Sequence, residues 1–198
     1  MTKIIGITGG IASGKSTITN FIKFKKIPIH DSDNVVFSLY NKPTKKFLKF
    51  LKKIKLGGAI KQNTINKNII RENIFRNFHK KNILEKFIHS EVQKSRNKFF
   101  KKNINKKNKL IFLDIPLLFE KNLDKMCDFV FYIYAPLKIR KKRALNRKGM
   151  NKQILNLIIK NQIKDSEKKR KSDYVINTTK SKSTTYNEVE RIINKIIF

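Results

Sequence analysis

The sequence predicts an α/β fold of three layers about a central parallel sheet, on three observations. The chain opens strand, glycine loop, helix, strand over residues 3–33. Two later segments, Leu110 to Asp114 and Phe129 to Tyr134, are apolar on both faces, as central parallel strands covered by helices are. Between the opening and these strands lies a long stretch without strand patterns.

Taken in order, Lys3 to Thr8 is short, rich in β-branched residues and ends on the Gly9-Gly10 turn signal, which reads as a buried strand. From Ser16 to about Lys26 the apolar residues Ile18, Phe21 and Ile22 fall at helical spacing. Ile27 to His30 makes a brief second strand that delivers Asp31-Ser32-Asp33. Residues 34–108 read as helices broken at Pro43 and Gly57-Gly58, with Ile69, Ile70, Ile74, Phe75 and Leu84, Phe87, Ile88, Val92 as core-facing stripes. Lys101 to Lys109, almost purely Lys and Asn, reads as a solvated loop. After the two central strands come a basic helix from Lys138 to Lys148, a helix from Asn151 to Lys164, and the charged segment Asp165 to Lys171. A short strand, Tyr174 to Asn177, and a C-terminal helix from about Thr184 finish the chain.

With 198 residues, 39% of them hydrophobic, one domain with a real core is expected. No apolar run approaches the ~20 residues that cross a bilayer, and the start lacks a signal-peptide pattern, so a soluble, cytoplasmic protein without a membrane partner is expected. Cys127 is the only cysteine, which excludes an intramolecular disulfide or a cysteine metal cluster and suggests a buried small hydrophobe. The net charge of +33, from 47 Lys and Arg against 14 Asp and Glu, would ordinarily point to nucleic acid. Here the cations are spread over the whole chain and travel with Asn, Ile and Phe, the residues of AT-rich coding. Compositional bias accounts for that mixture better than a dedicated basic face, so no specific nucleic-acid partner is expected. The surplus should still concentrate polyanions near the surface and lower stability at low salt through self-repulsion.

The pattern G-x-x-x-x-G-K-[ST] is complete in Gly9, Gly14, Lys15 and Ser16, between a predicted strand and a predicted helix. Such a loop, Gly10, Ile11, Ala12, Ser13, Gly14, Lys15, Ser16 and Thr17, cradles ATP: backbone N–H groups converge on the phosphates beside a helix N-terminus. Lys15 bridges β- and γ-phosphate oxygens, Ser16 ligates Mg²⁺, and Thr17 reaches the α-phosphate. The fold is therefore that of a P-loop nucleotide-binding protein. At this length, and without an Asn-Lys-x-Asp segment, a small-molecule kinase fits best. Such a kinase needs a carboxylate near the end of the second strand and an arginine-bearing lid. Asp33 supplies the first, although as a residue type it equally suits a helix N-cap. Arg140, Arg143 and Arg147 supply the second, although they equally suit a solvated helix face.

Gly6 to Thr17, Ile29 to Asp33, Arg71 to Phe75, Ile88-His89 and Asp114 to Glu120 together resemble the dephospho-CoA kinase family, in chain order. Arg143 and Arg147, with Gln162 and Lys168 ahead of Asp173 to Asn177, repeat its closing pattern. The resemblance implies one domain over 1–198, with core 1–33, 109–139 and 172–198, a helical acceptor-binding insert at about 34–108 and a lid at about 140–171. It implies ATP with Mg²⁺ as cosubstrate, dephospho-CoA as acceptor through its ribose 3′-hydroxyl, and a monomer or small homo-oligomer. Asp33 would be the general base or hydroxyl positioner, and Lys15 and Arg143 would stabilise the γ-phosphoryl charge. Arg147 would join the nucleotide site, and Arg71, His89 and Leu117 the acceptor pocket. Asp114 would enter the Mg²⁺ shell through water, with a turn role equally open, and His89 as a residue reads better as a buried or capping histidine. The base would lie between the lid and the loop after Asn177. Rival readings are another small P-loop kinase acting on a nucleoside, nucleotide or metabolite, or a nucleic-acid-binding ATPase. Three departures stand out: Ser90 replaces a proline at an expected helix start, two family glycines fall on Lys55 and Asn63, and Ala12 replaces a glycine at a position the loop pattern leaves free.

Overall fold

The computed structural model describes residues 1–197; position 198, the end of the expected core segment, lies outside them. In chain order the elements are β1 (Lys3–Gly9), α1 (Lys15–Phe24), β2 (Ile29–Asp31), α2 (Ser32–Asn41), α3 (Lys45–Lys53), β3 (Ile60–Lys61), β4 (Thr64–Ile65), α4 (Lys67–Arg76) and α5 (Phe78–Asn105). There follow β5 (Leu110–Asp114), β6 (Phe129–Tyr134), α6 (Leu137–Leu145), α7 (Lys152–Lys160), α8 (Asp165–Arg170), β7 (Tyr174–Asn177) and α9 (Lys182–Ile197). The chain divides into two compact units, Met1–His30 with the chain from Asn103 onward, and Asp31–Lys102.

The first unit is built on a sheet of order β2-β5-β1-β6-β7. β1 pairs in parallel with β5, setting Ile7 opposite Asp114, and with β6, setting Gly6 opposite Val130; β6 pairs in parallel with β7. Ile5, Ile7, Phe112, Phe131, Ile133 and Ile176 meet Ile18 and Ile22 of α1 and Val189 and Ile193 of α9 in one core, so the continuous apolar runs are buried as the α/β reading requires. Parallel strands place all their carboxyl ends, and the loops that follow, along one edge, where open α/β sheets bind ligands.

The second unit packs Leu39, Phe47, Leu51, Leu56, Ala59, Ile70 and Leu84, with Phe50 stacked on Phe87 at 4.0 Å between ring centres. Asn66 caps α4 by accepting from Asn68 and Ile69, and Thr44 caps α3 by accepting from Phe47. Glu91 binds both Lys46 (2.7 Å) and Lys94 (3.0 Å), and these hydrogen bonds hold its carboxyl below the usual carboxylate range.

Several expectations are corrected. The insert contains the antiparallel pair β3-β4, whose two-residue strands are too short to leave an alternating pattern. Phe75 points outward, 89% exposed, because Ile70 takes the inward position of α4. The stretch from Lys101 is not a loop throughout: α5 runs to Asn105, and Asn103 is buried, with its backbone and side-chain oxygens accepting from Asn108. Ser90 lies inside this continuous helix rather than at a helix start. Asp165 to Lys171 is largely helical, as α8. Cys127 is half-buried, its thiol donating to the Leu123 carbonyl.

Three helix ends share one feature. After α1, α3 and α5 the chain closes with Lys26, Lys55 and Lys107 at φ 58°, 57° and 53°. In each case a nested pair of hydrogen bonds forms, Lys55 N to Lys52 O and Leu56 N to Leu51 O for α3, the pattern in which glycine normally holds the left-handed residue. Asn63 (φ 62°) and Ala12 (φ 57°) also adopt left-handed backbone, so three positions where the resemblance expects glycine keep a glycine's conformation without the glycine. Ala12 is therefore not a free position. A left-handed non-glycine residue costs about 1–2 kcal/mol, partly offset by glycine's larger loss of backbone freedom. Lys26→Gly, Lys55→Gly and Lys107→Gly, all at exposed sites, should each raise unfolding stability by about 0.5–1 kcal/mol, and additively, as read by urea titration.

Candidate nucleotide and phosphoryl-transfer site

The phosphate loop leaves β1 at Gly9 and enters α1 through Gly14, whose φ of 94° a side chain would resist. Ser13 N–H donates to Gly10 O and Thr17 N–H to Gly14 O, which closes the loop on itself. No side chain caps α1, so the positive end of its dipole remains for an anion. Lys15 reaches back to the Asp114 carboxylate at the end of β5. Ser16 is exposed in the first turn of α1, and Thr17 follows it, half-buried. The outer side of the loop, Ile11 and Ala12, packs on Ala144 of α6, Met150, and Leu155 and Ile159 of α7.

The turn after β5 braces this arrangement. Thr8 donates to Pro116 O (3.0 Å), and Ile115 N–H to Ile7 O (3.1 Å). Leu118 and Phe119 are buried and Leu117 is half-buried. Glu120 accepts from Ile163 N–H (3.1 Å) and pairs with the fully buried Lys168 (3.0 Å). Next to Ile163, Gln162 accepts from Ile11 N–H (3.2 Å). Of the predicted closing pattern, Gln162 thus binds the segment between α7 and α8 to the phosphate loop, and Lys168 binds α8 to Glu120 in the segment after β5.

Arg143 donates to both oxygens of Thr178, the side-chain hydroxyl (3.2 Å) and the carbonyl (2.9 Å), and the Thr178 hydroxyl donates to Ser13 O (2.5 Å). Arg143 and Arg147 line a cavity of about 350 Å³ together with Ala12, Gly14, Thr17, Ile18, Thr178, Lys180, Lys182, Thr185 and Tyr186. Its size suits a small-molecule ligand. Tyr186 is itself held by stacking on Phe21, 4.3 Å between ring centres and 3° from coplanar. The cavity lies among the phosphate loop, α1, Arg143 of α6 with Arg147 beyond it, and residues of the segment after Asn177. Sequence reasoning did not single out Thr178, Lys180, Lys182 or Tyr186, for none belongs to a motif.

Arg140 differs from Arg143 and Arg147. It is 4% exposed, donates to Ala135 O and to Asp165, and lies against Gly10. The second oxygen of Asp165 accepts from the Tyr132 hydroxyl at 2.7 Å; burial and the Asp165 carboxylate push that hydroxyl above its usual 10.0, so it stays a donor.

The remaining predicted residues belong to the second unit. Asp33 is exposed in the first turn of α2, and the N-cap of that helix is Asp31, which accepts from Asn34 N–H (2.9 Å). Arg71 is exposed on α4, and His89 is exposed within α5, so His89 is neither a buried nor a capping histidine.

A family model described as dephospho-CoA kinase matches residues 3–183. A dephospho-CoA kinase from Bartonella henselae is 34% identical over 196 residues, 98% of this chain and 98% of that protein. A solved structure from Thermus thermophilus superposes with a TM-score of 0.80 at 25% identity, over 98% of this chain and 97% of its own. The dephospho-CoA kinase from Campylobacter jejuni gives 0.73 at 24% identity over 99% and 98%, which bears on the fold alone. The matched residues run from β1 through the phosphate loop and α6 to α8 into α9, and the chain belongs to the dephospho-CoA kinase family.

Proposed function

We propose, for the family's ATP-dependent phosphorylation of dephospho-CoA, that the acceptor is the ribose 3′-hydroxyl and the products are coenzyme A and ADP. The Lys15–Asp114 pair carries this reading, because it brings the loop's cation and a strand-end carboxylate to one point at the sheet's carboxyl edge. The loop N–H groups and Lys15 hold the phosphates, and Lys15 and Arg143 offset the charge that develops on the transferring group. Asp33 orients the acceptor hydroxyl and takes its proton. The base occupies the cavity beside Tyr186, with Arg147 on its rim. Arg71, His89 and Leu117 serve the acceptor, with residues 34–108 as its insert and 140–171 as the lid.

Mg²⁺ fits the oxygens present. The Ser16 hydroxyl and, through water, the Asp114 carboxylate are hard donors, and so small a set suits an ion that keeps waters and shares phosphate oxygens. When bound, it would neutralise charge on the β- and γ-phosphates.

No helix among the described residues is long and apolar enough to cross a membrane. We place the enzyme in the cytoplasm as a monomer or small homo-oligomer without a specific nucleic-acid partner. A coupled ADP-release assay offering dephospho-CoA, AMP, CMP and shikimate should show turnover with dephospho-CoA alone, unchanged by added RNA at physiological salt. Turnover only with a nucleotide acceptor, or ATP hydrolysis stimulated by RNA, would overturn the reading.

A further inference from the structure

Arg140 is a buried cation that neither the phosphate grip nor the base cavity accounts for. It is absent from the cavity that Arg143 and Arg147 line, although Arg143 shares α6 with it and Arg147 follows two residues after that helix ends. Its contacts fix its position. Nε donates to Ala135 O (2.9 Å), at the turn out of β6, and one terminal nitrogen donates to Asp165 (2.5 Å), the first residue of α8. The other terminal nitrogen lies over Gly10: a Cβ built there would come within 2.0 Å of it and within 2.8 Å of the guanidinium carbon. Asp165 is held in turn by Tyr132, whose side chain is fully buried in β6. A planar fork pinned at two corners therefore forms the surface on which the first residue after β1 rests.

We propose that Arg140 is a positioning residue for phosphoryl transfer, acting through Gly10: held by Asp165 and Ala135, it sets the first turn of the phosphate loop and ties that turn to α8. The proposal rests on reading Gly9 to Ser16 as the ATP phosphate grip. Lysine is a poor substitute, because an ammonium has no flat face and cannot span Ala135 O and Asp165 while lying over Gly10. Small displacements of a phosphate-holding loop are costly, since misplacement by about 1 Å can lower a rate by about 10²-fold.

The test compares Arg140→Lys, Arg140→Gln, Asp165→Asn and Tyr132→Phe by steady-state ADP release and thermal melting, with rates taken well below each melting point. Arg140→Lys and Arg140→Gln should lower kcat about tenfold or more, with KM for dephospho-CoA within about twofold of the parent. Asp165→Asn should fall similarly, and its combination with Arg140→Gln should be no worse than either alone. Tyr132→Phe removes one hydroxyl and keeps the core ring, so it remains informative if an Arg140 variant fails to fold; it should lose kcat a few-fold. Lower melting temperatures with kcat unchanged, a rise in KM for ATP alone, or full activity in Arg140→Lys would each overturn the proposal. An inactive parent enzyme would instead overturn the kinase reading, and this proposal with it.

Discussion

Lys15→Ala is expected to lower kcat about 10³-fold, the scale for deleting one charge stabiliser at a transferring group. ADP should still bind within a few-fold, because the loop's N–H groups and the base cavity are untouched. The substitution also removes a cation from Asp114, which is 5% exposed, and weakening the pairing of a buried carboxylate costs stability. Activity loss and instability must therefore be separated. Adding Asp114→Asn to Lys15→Ala should recover most of the stability and none of the rate. ADP-release kinetics, ADP calorimetry and denaturant titration together check this. A kcat within tenfold of the parent would remove Lys15 from the transfer step.

Asp33→Asn is expected to lower kcat by about 10²-fold or more with KM for ATP little changed, as loss of a general base does. A helix cap was the competing role for Asp33, and Asp31 already fills it. What Asp33 offers α2 is a negative charge in its first turn, a contribution of about 0.3–1 kcal/mol. A small loss of stability beside a large loss of rate would leave no structural explanation. A mutant that turns over at nearly the parent rate would reduce Asp33 to a first-turn charge. Melting temperature and kcat, measured on the same preparation, decide between these outcomes.

The central strands were legible because burial on both faces writes itself as unbroken apolar runs, which is why Leu110 to Asp114 and Phe129 to Tyr134 stood out. The end of α5 was not, because the residue that would announce it as a glycine is Lys107, inside a Lys and Asn run that looks like loop. The phosphate loop spells its own chemistry. Thr178, by contrast, matters through Ser13, 165 positions away, and through Arg143, 35 positions away, and no local pattern records such contacts. Arg140 was hidden differently. It is one of 47 cations, on a helix whose other basic residues face outward or into the cavity, and only the packing against Gly10 tells it apart.

Thr178 deserves a last physical consequence. Its hydroxyl and carbonyl join α6, the phosphate loop and the end of β7 in one closed set of hydrogen bonds, with Tyr134 O as a further partner at 3.3 Å. The walls that would grip a base and the loop that would grip its phosphates are thus tied to each other by hydrogen bonds of the fold itself. Ordering entropy is then largely spent during folding and not at binding. Adenosine and inorganic polyphosphate, offered separately, each pay the full loss of free translation. Joined in one molecule they pay it once, so the whole should bind far more tightly than its fragments suggest.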